Sequence, residues 1–346
     1  MTIKYNNVYI LDASTVAGYY ESFSPYKMYF DKVYKNDFYF NQKSLEKAEI
    51  KLFKESIEIL LNKCNLKKED IDVLIGGDLL NQIASSCYGA KDFNIPFLGV
   101  YTACATTGEE ILIASNLIEN KGVKRVICTT SSHNLSSEKQ FRNPVEYGGP
   151  KPKTATFTAT GGASILLTNE KTNIKVESIT IGKINDLGQN DANHMGAVMT
   201  PGAADTINTH LKDLNRDINY YDLILTGDLG IFGKEILKEY MEKEYKIKLK
   251  NNYCDCGAML YDLNSQKEIT AGGSGPVCSA LINYGYILRM LKEGKLNKVL
   301  LVPTGALFSP TMLFQKGNIL SIAYAISLEV VKWHIYIHFY SVEDYV

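Results

Sequence analysis

Two segments of this chain read as copies of one another, and that duplication limits the folds available to it. Residues 61–80 end in Ile71-Asp-Val-Leu-Ile-Gly-Gly-Asp-Leu-Leu, and residues 211–230 end in Tyr221-Asp-Leu-Ile-Leu-Thr-Gly-Asp-Leu-Gly. They align without a gap at an offset of 150 residues, with identity at Leu61/Leu211, Asn65/Asn215, Asp72/Asp222, Gly77/Gly227, Asp78/Asp228 and Leu79/Leu229. Each copy reads as a helix, a short polar connection and an apolar strand. The helix before the first strand, Ser44 to Cys64, spaces apolar side chains at Ala48, Leu52, Ile57, Leu60 and Leu61 along one face. A second pair follows the same plan. Cys104 to Ser131 is a turn, a helix with Gly122 near its end, and the strand Arg125-Val-Ile-Cys-Thr-Thr. Gly272 to Ala306 repeats it, with Gly294 and the strand Lys298-Val-Leu-Leu-Val-Pro. Strand–helix–strand units with continuous apolar strands imply largely parallel sheets covered by helices. The expectation is an α/β protein of two tandem halves, residues 1–170 and 171–329. Residues 330–346, with Trp333-His-Ile-Tyr-Ile-His-Phe-Tyr, follow a completed repeat. They read either as an added edge strand or as a non-native, read-through tail, and the second reading is favoured.

Composition excludes several classes. The 346 residues are 45% hydrophobic and 22% charged with a net charge of −1, so no bulk field recruits nucleic acid, and no nucleic-acid partner is expected. No run approaches the ~18 apolar residues of a membrane span, and the N-terminus lacks a signal-peptide layout. Synthesis in a reducing cytosol is therefore expected. The seven cysteines form no regular framework, which argues against disulfides. Cys254-Asp-Cys256 has no further ligands nearby in sequence and reads as part of a strand rather than a metal site. Neither metal nor cofactor is expected.

The chemistry concentrates at Phe97-Leu-Gly-Val-Tyr-Thr-Ala-Cys-Ala-Thr-Thr-Gly-Glu-Glu-Ile-Leu, a strand, a tight turn and a helix. Cys104 stands at the helix N-terminus, where N–H groups and the helix dipole favour a thiolate. Around it lie three long irregular stretches, residues 18–42, 131–154 and 185–206, of the kind that carries function. A duplicated α/β half with a Cys at a strand-to-helix turn resembles the thiolase and ketoacyl-synthase superfamily. Within it the chain is most similar to the stage V sporulation protein AD family. The stretches that carry this are Gly76-Gly-Asp-Leu-Leu-Asn-Gln, Ile95 to Thr106, Thr130-Ser-Ser-His-Asn, Gln140-Phe-Arg-Asn-Pro, Met195 to Thr206, Asp222 to Gly230, Ala271-Gly-Gly-Ser-Gly and Pro303-Thr-Gly-Ala-Leu-Phe-Ser-Pro. The departures are Ala105 where Ser is usual, Thr160-Gly-Gly-Ala for Thr-Gly-Ala-Gly-Ala, and Tyr324 where His is usual, within a loosely matching 315–329.

The resemblance implies a layered α-β-α-β-α arrangement. It also implies a binder of dipicolinic acid that supports its transport, as calcium dipicolinate, into the developing spore and its release at germination. Such a protein would sit peripherally on the spore inner membrane, docked on membrane channel subunits of the same transport complex. A homodimer paired across the sheet edge of the first half is plausible by analogy. Condensing enzymes of the superfamily need a second-half His, or His plus Asn, to activate the thiol and stabilise an enolate. The turns after the strands expected at 222–226 and 267–271 offer Gly227-Asp228-Leu229 and Gly273-Ser274-Gly275 instead. None of the five His residues (133, 194, 210, 334, 338) lies in either turn, although His133 and His194 could reach Cys104 through the loops. A carboxylate beside a thiol opposes its ionisation. The expectation is therefore a non-catalytic site, with a Cys104-dependent acyltransferase or condensing enzyme as the alternative. The candidate ligand-binding residues are Cys104, Ser131, Ser132, His133, Arg142, Phe157, Thr158, Asp228 and Ser274. Tyr101 and Phe157 would flank a ring, and Lys151 and Lys153 are further loop cations. Asp78 and Asp228 read as helix N-caps rather than as a calcium pair.

Overall fold

The computed structural model describes residues 1–141 and 151–331. The first half contributes β1 (Tyr9–Ala17), β2 (Val73–Gly77), β3 (Phe97–Gly99), β4 (Arg125–Ser132) and β5 (Gly161–Thr168). The second contributes β6 (Ile174–Ile181), β7 (Leu223–Thr226), β8 (Tyr253–Asp255), β9 (Lys298–Val302) and β10 (Leu320–Val330). The spatial order is β3-β2-β4-β5-β1 in one half and β8-β7-β9-β10-β6 in the other, the same permutation twice. The two five-stranded units meet where Tyr9 faces Lys175, and the N-terminal strand Thr2–Lys4 adds an antiparallel pairing with β6.

Each unit is mixed rather than largely parallel. β2 runs parallel to β3 and β4, whereas β5 is antiparallel to both β4 and β1. The second half repeats this, with β10 antiparallel to β9 and β6. The connection from β4 to β5 starts and finishes at the same end of the sheet, so it reverses the chain direction instead of crossing over as a βαβ helix does.

Helices α1 (Leu45–Cys64) and α2 (Ala84–Ala90) cover the outer face of the first sheet, and α5 (Met195–Asp213) and α6 (Gly230–Tyr245) cover that of the second. Between the sheets lie α3 (Thr106–Glu119) and a helical run through α8 (Pro276–Ala280), a π-helical stretch (Leu281–Ile287) and α9 (Leu288–Lys292). This is the α-β-α-β-α layering. α1 forms where its apolar spacing predicts. Ser44 Oγ accepts from Lys47 N at 3.2 Å, Asn65 ends the helix in the left-handed region, and Leu52, Phe53, Ile57 and Leu60 are fully buried.

The repeated residues do the same work in both halves. Asn65 and Asn215 both take positive φ, 52° and 51°, where Asn is one of the few side chains tolerated. Asp72 accepts from Lys124 N and Arg125 N, and Asp222 accepts from Asn297 N and Lys298 N, so each carboxylate fastens the start of a neighbouring strand. Three local expectations are corrected. Residues 267–271 form no strand; a two-residue strand, Gly273–Ser274, follows instead and pairs in parallel with Phe157–Thr158. Cys254 lies in β8, but Cys256 opens helix α7 (Cys256–Leu260), because Asp255 caps that helix through Ala258 N. The stretch after β4 forms helix α4 (Asn134–Phe141) rather than an irregular loop. The question of a tail falls on residues 332–346, outside the described residues, while Val330 itself ends β10.

Candidate functional site

Strands β2 and β7 end at Gly77 and Thr226, and the turns that follow them carry Leu79 and Asp228. Cys104 lies in the short turn Ala103–Ala105 that leads into α3. Ala103 is held at φ 52°, a strained value for a residue with a Cβ, and such outliers gather at functional sites. Thr106 Oγ1 fixes the turn by donating to Ala103 O at 2.6 Å and accepting from Thr102 N at 3.2 Å. The second half braces it from behind through the strand Thr304–Leu307. A Cβ on Gly305 would stand 2.4 Å from Thr102 O, so only glycine lets that strand come so close.

Across from the thiol stands a buried carboxyl. Asp228 Oδ1 accepts from Thr304 Oγ1 at 2.9 Å. Its Oδ2 accepts from Gly275 N at 2.9 Å and from Ser274 Oγ at 3.1 Å. Gly275, at φ 91°, turns that N–H inward. Ser274 Oγ lies 4.0 Å from Cys104 Sγ, which completes a Cys–Ser–Asp arrangement built from both halves. Burial pushes the Asp228 carboxyl up to about 7. Burial, and then the charge of Asp228, raise the Cys104 thiol well above its usual value; Gly275 N–H and Ser274 offset this only in part. At neutral pH the cysteine is a neutral thiol, and the helix N-terminus does not overcome its surroundings. Asp228 is not the helix cap its sequence position suggests. Asp78 does act locally, accepting from Leu80 N and from both Ser86 N and Ser86 Oγ in α2. In the second copy Asp255 takes over, accepting from Leu229 N and Gly230 N at the start of α6, which frees Asp228 to face the thiol.

Cys104 opens into a narrow cavity of about 50 Å³ walled by Leu79, Tyr101, Phe141, Met195 and Phe308. Thr158, Ser274, Ser137 and Glu138 supply its polar lining. Leu79, Tyr101, Phe141 and Phe308 also border a larger cleft of about 580 Å³ towards solvent. The inner cavity is smaller than the ~300 Å³ lower bound for small-molecule pockets, whereas the inner and outer spaces together reach that range. Ser137 Oγ is buried and has no hydrogen-bond partner among the described residues, which leaves a donor available at the cavity wall. Glu138 forms an ion pair with Lys151 at 3.2 Å, and the Lys151 ammonium lies 5.5 Å over the Phe157 ring, outside the cavity lining.

Of the residues expected at the site, Cys104, Thr158, Ser274 and Tyr101 line the cavity, and Asp228 stands directly behind it. Ser131, Ser132 and His133 are not in the lining. Ser131 Oγ donates to the buried Glu49 and Ser132 Oγ to Ala159 O. His133 Nδ1 accepts from Leu135 N, so its Nε2–H donates to Phe38 O at 2.8 Å, and burial lowers its pKa. Phe157 packs edge-on between Tyr20 and Tyr261, away from the cavity. Arg142 lies outside the described residues, and Lys153 is an exposed loop residue. His194 caps α5 through Ala197 N at 3.4 Å, and no His lines the cavity among the described residues. Ser137, Glu138, Met195 and Phe308 were missed. Phe308 falls within one of the motif stretches, and Met195 opens another; Ser137 and Glu138 carry no sequence signal.

The paired 3-2-4-5-1 sheets, the central helices and the cysteine turn define a protein of thiolase-like fold. Solved structures that match it include 3-oxoacyl-[acyl-carrier-protein] synthase III from Aquifex aeolicus VF5 (TM-score 0.56, 12% identity, 93% of this chain and 99% of that one). Human mitochondrial 3-ketoacyl-CoA thiolase also matches (TM-score 0.57, 11% identity, 94% and 99%). The chain belongs to the Stage V sporulation protein AD (SpoVAD) family, whose family model matches residues 1–329. It is 45% identical over 323 residues to Stage V sporulation protein AD of Bacillus subtilis (strain 168), a match covering 93% of this chain and 94% of that protein.

Proposed function

We propose that this sporulation-family protein uses the Cys104 cavity to bind a small aromatic anion without covalent chemistry, and that the anion is dipicolinic acid. The observation that carries the non-catalytic reading is Asp228. A buried carboxyl occupies the second-half position facing the thiol and opposes its ionisation, and no His lines the cavity among the described residues. Apolar walls at Leu79, Tyr101, Phe141 and Phe308 suit a flat ring. Ser137 Oγ and the Thr158 hydroxyl suit carboxylates. The choice of dipicolinate over other aromatic acids rests on family membership.

In this reading the protein supports movement of calcium dipicolinate into the developing spore and its release at germination, peripherally on the spore inner membrane and docked on channel subunits. No helix among the described residues is long and apolar enough to cross a membrane, which fits a docked protein. Strand β3 is the outer edge of the first sheet with Leu98 exposed, which fits pairing with a second copy.

Titration calorimetry tests the ligand. Dipicolinate should bind saturably, while benzoate binds far more weakly, and Ser137→Ala should weaken dipicolinate by roughly fivefold, as expected for one hydrogen bond. Equal heats from both acids would refute the assignment. The second reading, acyl transfer at Cys104, is favoured by the strained Ala103 turn and by the enzymes that share the fold. Intact mass after incubation with acyl-coenzyme A decides it: a stable adduct lost in Cys104→Ala would establish the enzyme.

A further inference from the structure

At the other end of β7 from Asp228, the chain builds a second concave surface. The C-terminal end of α5, the turn at 214–218 and the segment after α6 enclose a cleft of about 570 Å³. Its lining carries five cations, Lys212, Arg216, Lys246, Lys248 and Lys250, against one acid, Asp217. Leu211, Ile218 and Ile247 provide an apolar floor. Glu177 neutralises Arg216, and the remaining excess is carried by the four lysines. Asp217 is held by Asn219 N at 2.7 Å as the cap of its own turn. Glu177 is engaged bidentately by Arg216, at 2.9 and 3.0 Å, on the side towards the core. Glu242 reaches Lys248 only at 4.0 Å between two exposed side chains, a contact of little consequence in water. Lys246 Nζ and Lys250 Nζ donate to neutral oxygens, Lys243 O and Asn219 Oδ1.

Arg216 is rigid as well as charged. Its guanidinium lies 4.0 Å over the Tyr220 ring and also donates to Tyr221 OH. The second, independent observation is Asn208, which lines the same cleft. Its side chain is 7% exposed, and its Oδ1 has no hydrogen-bond partner among the described residues. Leaving a buried amide oxygen without a partner is unfavourable, and turning the side chain towards the cleft would let a bound hydroxyl satisfy it. Four lysines and a buried amide lining one cleft match an anion that carries a hydroxyl.

We propose that this cleft binds a phosphate ester bearing a hydroxyl group, with the phosphate among Lys212, Lys246 and Lys248 and the hydroxyl at Asn208. The site is separate from the Cys104 cavity and does not depend on the dipicolinate reading. Two sources share this chemistry, the glycerol-phosphate headgroup of a lipid and a soluble phosphorylated metabolite. The full chain is titrated with glycerol 3-phosphate by calorimetry and floated with phosphatidylglycerol vesicles against phosphatidylcholine vesicles. Binding of the soluble ester assigns the cleft to a metabolite, and binding of phosphatidylglycerol vesicles alone assigns it to a lipid headgroup; both support the site. In either arm, Lys212→Ala with Lys248→Ala should weaken binding about tenfold, and Asn208→Ala should weaken it severalfold, with unchanged thermal melting as the check on folding. No binding in either arm, or binding that either variant leaves unchanged, overturns the proposal.

Discussion

Burial and Asp228 together decide what Cys104 can do. A thiol at a helix N-terminus is easily read as a nucleophile, but the dipole acts over one turn and is outweighed here by burial and a facing carboxyl. Removing that charge should therefore wake the cysteine. Asp228→Asn is expected to raise the rate of Cys104 alkylation by iodoacetamide at neutral pH about tenfold, with Cys104→Ala as the blank. An unchanged rate would mean that burial alone silences the thiol. The trio Cys104, Ser274 and Asp228 was legible in the sequence because each stands in a motif at a strand-to-helix turn. Ser137 and Glu138 were not, because nothing in Ser-Ser-Glu-Lys marks a helix whose inner face meets a cavity. Ser131, Ser132 and His133 show the converse. They follow a strand end, as site residues often do, yet their side chains are taken up by Glu49, Ala159 and Phe38 in the interior.

The duplicated elements show how one local pattern can serve two ends. Asn65/Asn215 and Asp72/Asp222 keep their roles because a left-handed helix end and a strand anchor need only local geometry. Asp78/Asp228 parted because Asp255, 27 residues further along the chain at the end of β8, took over the helix start, a substitution that local sequence cannot reveal. Asp255 now serves Leu229 N and Gly230 N at α6, Ala258 N at α7 and the Thr226 hydroxyl. Asp255→Ala removes caps from two helices and leaves buried N–H groups unsatisfied. It should lower the unfolding free energy by roughly 2–4 kcal/mol, read from the urea midpoint at unchanged slope. A loss below about 0.5 kcal/mol would show that neither helix depends on it.

For the whole molecule, the α/β class was legible, because apolar runs and repeats are local. The antiparallel return of β5 and β10 was not, since strand order is set by contacts between distant segments. The same burial that shapes the site leaves a pH signature. Asp228 and Glu21 are pushed up to about 7 and Asp255 to about 6, all by burial. Each keeps its proton in the folded chain after the unfolded chain has released it, so stability falls as pH rises from about 4 towards 7. His210, lowered to about 4 by burial, and His133, also lowered by burial, act in the opposite sense, but only up to about pH 6.5, where the unfolded imidazole loses its proton. Calorimetric melting should therefore drop by a few degrees between about pH 6 and about pH 8, and a rise over that range would contradict these buried protonation states. The central claim, a thiolase-like site turned from acyl chemistry to holding an aromatic dicarboxylate, is tested most directly by a crystal structure grown with dipicolinate. The ring should lie between Tyr101 and Phe308 with one carboxylate on Ser137 Oγ, and Cys104 should be unmodified. An empty cavity at saturating ligand, or density bonded to Cys104 Sγ, would contradict it.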